Sequence, residues 1–422
     1  MKIRHRVVAT AVIAVAAISL TACSGGGASN ANAAGKVGGT LTALLPSQFK
    51  STYDKIGAAF EKKYPSVHLK FNYQGGDMNQ LVMTQLQAGT APDVLTSFPG
   101  GVATDNADNV QPLAAQKRIL PLTASWAAKI PEVWKSSFNY KGKTYAYPGA
   151  LQPLAAIYNK TKLDEMGLKV PTTLDEVYKL CTDAKSKGVY AFAQGLGDAA
   201  AGPQMLSFGQ NATLIDGPNP GFGDQIASGK ATYPDSPWVK QFGIYQKMFN
   251  LGCFGDGALG RTREQGSTAV AAGQALGIVD VGAVLASLQT AAPKSSFVIA
   301  SIPATNDGKS YITALPGYVT TINAKAKNAA TAQAFLEFMG TPEQADTYAN
   351  GYASVPVISN NQYTAPESLK DFAALVADKK FAPLESLQSQ VQSALNQGVQ
   401  SMLLGNDTPK SVAEKMQAAI TK

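Results

Sequence analysis

The chain has 422 residues, of which 45% are hydrophobic and 15% charged, with a formal net charge of +7. That length is too great for one compact core, so two lobes are expected. The basic excess is mild and dispersed, and the absence of a Lys/Arg run excludes a nucleic-acid partner.

The N-terminus reads as a leader. Met1-Lys2-Ile3-Arg4-His5-Arg6 is a basic stretch, and residues 7–20 form an apolar run of signal-peptide length, too short to span a bilayer. Its end, Leu20-Thr21-Ala22-Cys23, resembles the lipobox of bacterial lipoproteins, which implies cleavage after residue 22 and a lipid on the Cys23 thiol. Residues 24–35 have almost nothing to bury and behave as a flexible tether, so 1–22 is expected as signal peptide and 23–37 as linker. Two or three acyl chains suffice for stable anchoring. Without the leader's three basic residues, 33 Lys and Arg oppose 29 Asp and Glu, a net +4. With Cys23 lipidated, Cys181 and Cys253 remain in an oxidising compartment; a disulfide is expected, two buried thiols being the alternative.

The body opens with a strand-like run over 40–45 that stops at Pro46. Tyr53, Ile56, Phe60 and Tyr64 then recur at helical spacing, with Ser51 or Thr52 as N-cap and Pro65 as terminator. Val67, Leu69, Phe71 and Tyr73 alternate with polar residues as a second strand; a helix over 79–88 and a strand over 93–97 complete a βαβαβ unit. After a hairpin-like stretch at 140–147, a strand is predicted over 154–159. A helix opened by the capping box Thr173-x-x-Glu176 follows, with Leu174, Val177, Leu180, Cys181 and Ala184 as its apolar face. Trp238, Phe242, Tyr245 and Phe249 form a stripe that reads as helix core. Strands at 276–280 and 297–302 precede a mainly helical C-terminal third.

The chemistry that is missing narrows the function. Beyond the leader there is one histidine, His68, mid-strand, which disfavours Ser-His-Asp, Cys-His and His-rich metal systems. There is no G-x-S-x-G, G-x-G-x-x-G, Walker A or C-x-x-C sequence, and Gly195-Leu196-Gly197 reads as a loop. No catalytic residue, metal ligand or cofactor is nominated, and an enzyme is not expected. A paired-carboxylate glycosidase is the surviving enzymatic alternative, since such pairs leave no local signature.

An ordered set of segments resembles the extracellular solute-binding proteins of ATP-binding-cassette (ABC) importers, family 1, the group with the maltose- and oligosaccharide-binding proteins. The set begins with Phe60-Glu61-Lys62-Lys63-Tyr64-Pro65, Ala88-Gly89-Thr90-Ala91-Pro92-Asp93-Val94 and Tyr145-Ala146-Tyr147-Pro148. It continues with Ile157-Tyr158-Asn159-Lys160, Val170-Pro171-Thr172-Thr173-Leu174-Asp175-Glu176, Gly317-Tyr318-Val319-Thr320-Thr321-Ile322-Asn323 and Ala334-Phe335-Leu336-Glu337-Phe338. The resemblance implies an α/β, periplasmic-binding-protein-like type II fold: two α/β lobes, a multi-crossing hinge, and a ligand cleft between the lobes. It places 38–151 plus 320–383 in lobe 1 and 152–319 plus 384–422 in lobe 2, with crossings near 152–154, 318–322 and 382–387.

The same resemblance nominates ligand contacts: Ser47 and Gln48 after the first strand, Asp77 after the second, Ser97 and Phe98 after the third. Gln152 and Tyr318 stand at crossings, and Asp280 follows a second-lobe strand. Amides and carboxylates pair with hydroxyls while an aromatic face covers a sugar ring, so a sugar or oligosaccharide is the expected solute. Relatives commonly carry tryptophan where this chain has Ala283, and Gln390 and Gln392 near the last crossing come without an aromatic. A smaller, more polar or non-sugar solute is the alternative. The implied partners are an ABC permease and, through the lipid, the outer face of the cell membrane; the protein is expected to be a monomer.

Overall fold

The computed structural model describes residues 35–75, 78–100, 107, 109–198, 202–385 and 387–421. The expected signal peptide, Cys23, most of the expected linker and Asp77 lie outside the described residues. Fourteen strands follow in chain order among the described residues. They are β1 (Gly39–Pro46), β2 (Val67–Gln74), β3 (Val94–Ser97), β4 (Asn139–Tyr140), β5 (Lys143–Thr144), β6 (Ala146–Tyr147), β7 (Ala150–Asn159), β8 (Tyr190–Phe192), β9 (Ala275–Val281), β10 (Phe297–Ala300), β11 (Ile312–Pro316), β12 (Val319–Ile322), β13 (Val355–Pro356) and β14 (Phe381–Pro383).

The first sheet has the order β2-β1-β3-β12-β6. β1 pairs in parallel with β2 and β3, and β12 runs antiparallel to β3 and β6. Parallel neighbours need crossovers, which the helices Lys50–Lys63 and Met78–Ala88 supply. The first of these buries Tyr53, Ile56 and Phe60 as their spacing predicts. It begins at Lys50 without a Ser51 or Thr52 cap, because a 3-10 turn at Ser47–Phe49 feeds directly into it. β2 alternates as expected, yet only Val67 is fully buried, since the strand lies at the sheet edge.

The second sheet has the order β14-β11-β7-β9-β8, with β10 and β13 also on β7. β7 is almost wholly buried, which explains why its sequence is a nearly continuous apolar run instead of an alternation. Helix Leu174–Ser186 covers this lobe. Thr173 Oγ1 accepts the Glu176 N–H at 3.3 Å, but the Glu176 carboxylate takes the N–H and hydroxyl of Thr172, at 2.7 and 2.8 Å, so the predicted box is displaced by one residue. Cys181 and Cys253 form a disulfide that ties this helix to the turn after helix Trp238–Asn250. Trp238, Phe242 and Tyr245 are buried as core.

The chain leaves the first sheet through Pro148-Gly149 and returns to it through Gly317-Tyr318. Gly149 has φ +60°, and a Cβ there would sit 2.7 Å from the Tyr348 ring, so glycine is required at this passage. The expected division kept 320–383 in the first lobe; the strand pairing differs. β13 pairs with Leu151 and Ala150, and β14 with Ile312, Thr313 and Ala314, so both belong to the second sheet. The third crossing therefore falls between the end of helix Pro342–Gly351 and Val355, well before 382–387. A two-residue Val-Pro strand carries no readable period, which hid the crossing.

Within the second lobe, Asp216 and Glu385 are neighbouring carboxyls, and neither Glu385 oxygen has a hydrogen-bond partner among the described residues. Burial pushes the Asp216 carboxyl up to about 7. Burial and the nearby Asp216 charge hold Glu385 well above the usual carboxylate range. For acids raised in the folded state, the stabilising contribution is fully present below the unfolded carboxylate range near pH 4 and is lost as pH rises through about 7. Glu385→Gln is therefore expected to raise stability at pH 8 by on the order of 1–2 kcal/mol and to flatten its decline between pH 5 and 8. Denaturant melts of both proteins across that range measure this, and parallel pH profiles would contradict it.

Candidate ligand-binding cleft

β1 and β3 end on the side of the first sheet that faces the second, and the loops leaving their carboxyl ends carry Gln48 and Phe98. Gln152 lies in β7, and Tyr318 stands between β11 and β12 at the second passage. These four line one cavity of about 460 Å³, together with Phe49, Asn109, Arg263, Ala283 and Tyr352. Its size suits a small solute, and its walls come from both sheets and from the hinge.

The aromatic wall is continuous. The Phe98 and Tyr318 rings meet edge to face with centroids 4.8 Å apart, and Phe49 stacks on Tyr352. The Tyr318 carbonyl accepts the Tyr348 hydroxyl at 3.0 Å, which fixes the backbone of the crossing. Tyr348 and Tyr352 are buried, and burial raises both phenols far above their usual range, so they remain neutral donors.

Arg263, the first residue of helix Arg263–Ala271, lines the same cavity. Three features hold it. Thr262 and Gln265 form a reciprocal capping box that fixes the helix start. The Arg263 backbone N–H donates to Asp198 Oδ2 at 2.7 Å. Its Nε donates to Asp280 Oδ2 at 2.9 Å while Nη2 donates to Asp280 Oδ1, a bidentate pair. Burial alone would lower the Arg263 pKa, but the hydrogen bond and charge of Asp280, with the charge of Asp198, raise it instead. Gly195 lies directly behind: a Cβ there would come 2.6 Å from Arg263 Cα, which gives the Gly195-Leu196-Gly197 loop its reason for small residues.

The other nominated residues lie elsewhere. Ser97 is buried and its hydroxyl pairs with that of Thr321 at 3.0 Å, inside the first sheet. Ser47 is exposed and outside the cavity lining. Asp280 is 1% exposed, and besides Arg263 it accepts the Val281 N–H at 2.7 Å, so it positions the arginine and offers no edge to a ligand. Asp77 lies outside the described residues.

Sequence reasoning missed Arg263, Asn109, Phe49 and Tyr352. A signal for Arg263 existed: after the leader the chain contains only Arg118, Arg261 and Arg263 among its many lysines. Arginine in a lysine-rich chain marks places that need a planar, bidentate donor. No Asp or Glu is among the described residues lining the cavity, and no group of three or more His, Cys, Asp or Glu among the described residues could hold a metal ion. No described helix is long and apolar enough to cross a membrane.

Comparison with known proteins agrees with this geometry. The family model described as bacterial extracellular solute-binding protein matches residues 45–346. The multiple sugar-binding protein of Streptococcus mutans is 27% identical over 147 residues, covering 35% of this chain and 33% of that protein. The chain thus aligns with about a third of the length of that relative. A maltooligosaccharide ABC transporter solute-binding lipoprotein of Streptococcus pneumoniae is 25% identical over 323 residues, covering 72% of this chain and 69% of the relative. Among solved structures, the solute-binding protein RafE in complex with raffinose superposes with a TM-score of 0.72 at 20% identity, covering 90% of this chain and 98% of RafE. The two-lobed fold is that of the family 1 solute-binding proteins, and the chain belongs to the bacterial extracellular solute-binding protein family.

Proposed function

We propose that this protein is the carbohydrate-binding subunit of an ABC importer, a monomer tethered by a lipid on Cys23 to the outer face of the cell membrane. The cavity carries the proposal: the aromatic residues Phe98 and Tyr318, the Arg263 guanidinium and the amides of Gln48 and Gln152 line one space. Rings cover the apolar face of a sugar, while amides and a fixed guanidinium pair with its hydroxyls. The relatives named above as sugar and maltooligosaccharide binders support this reading.

The lobes are proposed as 38–147 plus 319–351 and 150–316 plus 355–422, hinged at the three passages between the sheets. Ligand touching both lobes stabilises the closed form and shifts the population by its differential affinity. The closed complex then delivers its solute to a permease. A thermal-shift screen tests the sugar claim: a true ligand raises the melting midpoint, and a carbohydrate panel in which nothing does so would remove the claim. Ala283, in place of the expected aromatic platform, favours a small sugar over a long one.

Anchoring is tested separately. Cys23→Ala protein is expected to bind ligand with unchanged affinity and to appear in the growth medium. Retention on cells, measured by fractionation and blotting, would contradict the lipid anchor.

A further inference from the structure

A second cavity lies away from the cleft. A crevice of about 860 Å³ lies at the far end of the first sheet, where β1 and β3 begin and β12 ends. Lys70, Lys325 and Lys327 line it, and all three are exposed without an ion-pair partner among the described residues. Many other lysines of the chain, such as Lys50, Lys160 and Lys179, sit beside carboxylates. The one acid in the lining, Asp93, is turned inward: Oδ2 accepts the backbone N–H and hydroxyl of Thr42 at 2.9 and 2.7 Å, and Oδ1 accepts the Asn328 N–H at 3.1 Å. The crevice therefore keeps a net positive charge, three lysines against one inward-turned acid.

One further feature points to an occupant. The chain enters the lobe at this place. The Gly38 carbonyl accepts Asn328 Nδ2 at 2.7 Å and the Thr331 hydroxyl at 2.8 Å. The residue next to Lys327 thus pins the end of the tether. Only about a dozen residues separate Cys23 from Gly35, the first described residue, so a lipid on Cys23 holds this end of the lobe close to the membrane.

We infer that this crevice binds the headgroups of anionic phospholipid and seats the end of the first lobe on the membrane. Headgroup phosphates meet the three lysines at the crevice mouth. The inference deepens the proposed function, because it rests on the tether reaching a membrane. Each lysine near an anionic surface is worth about five-fold in affinity, so three are worth about 100-fold. Such a patch binds reversibly on its own at high lipid concentration, and a short tether raises the local concentration of headgroups further.

The test uses mature Cys23→Ala protein, which has no acyl chain, so failure of the anchor and failure of the patch are separate results. Co-sedimentation should show binding to vesicles of phosphatidylcholine and phosphatidylglycerol in equal parts and none to phosphatidylcholine alone. The triple variant Lys70→Gln, Lys325→Gln, Lys327→Gln should bind the anionic vesicles about 100-fold more weakly, with unchanged melting midpoint. Neutralising three exposed lysines on the second lobe, Lys179, Lys230 and Lys410, should have a much smaller effect. Equal binding by the crevice variant and wild type would overturn the inference. So would binding of inorganic phosphate in the crevice without any binding to anionic vesicles.

Discussion

Asp280→Ala is expected to cost stability and ligand affinity together, while Arg263→Met with Asp280→Leu restores only the stability. The two charges share a bidentate contact, with Asp280 1% exposed and the Arg263 side chain 32% exposed. Removing the carboxylate alone leaves a guanidinium in the cleft without its counter-charge, and breaking such a buried pair costs about 3 kcal/mol, the lower end of the usual range because the arginine is part-exposed. The arginine then loses its fixed direction toward the ligand, and affinity should fall by roughly 30-fold or more, the worth of one charge-assisted hydrogen bond. The double variant removes both charges and replaces them with apolar volume, which is typically neutral for folding. It leaves no cation in the cleft, so binding stays weak. Denaturant melts and calorimetric titrations separate the outcomes. Full affinity in the double variant would show that Arg263 does not touch ligand.

Reduction of the Cys181–Cys253 disulfide is the second large effect. The bridge closes a loop with a sequence separation of 72, for which chain entropy gives about 4 kcal/mol. It joins helix Leu174–Ser186 to the turn after helix Trp238–Asn250, so the loss falls on the second lobe. Neither cysteine lines the cleft, so affinity for ligand should be unchanged at temperatures where the lobe stays folded. Melts with and without reductant measure this, in wild type and in a Cys181→Ala, Cys253→Ala variant. An unchanged midpoint on reduction would contradict it.

Elements with a strong period were legible from the chain alone. The helix carrying Tyr53, Ile56 and Phe60, the edge strand carrying Val67 to Tyr73, and the buried Trp238 stripe all appear where spacing placed them. The third crossing was not legible, because β13 is a Val-Pro pair held only by its partner in β7. The cleft was legible in part for a related reason. Gln48, Phe98, Gln152 and Tyr318 follow strand ends and crossings, positions that topology fixes, and they gather in one cavity. Ser97 and Asp280 occupy equivalent strand ends, yet their partners, Thr321 and Arg263, are distant or unrelated in sequence and turn them inward. Whether a polar side chain at a strand end faces ligand or protein is decided by tertiary contacts that no local pattern records.

Isothermal titration with the carbohydrate that gives the largest thermal shift, run on wild type and on Tyr318→Ala, tests the central claim most directly. Tyr318 lines the cleft at a crossing and meets Phe98 edge to face. The account predicts one ligand per chain and at least a ten-fold loss of affinity in the variant, from an aromatic contact worth about 1.5 kcal/mol. Binding of equal strength in both proteins would place the sugar outside the cleft and contradict it.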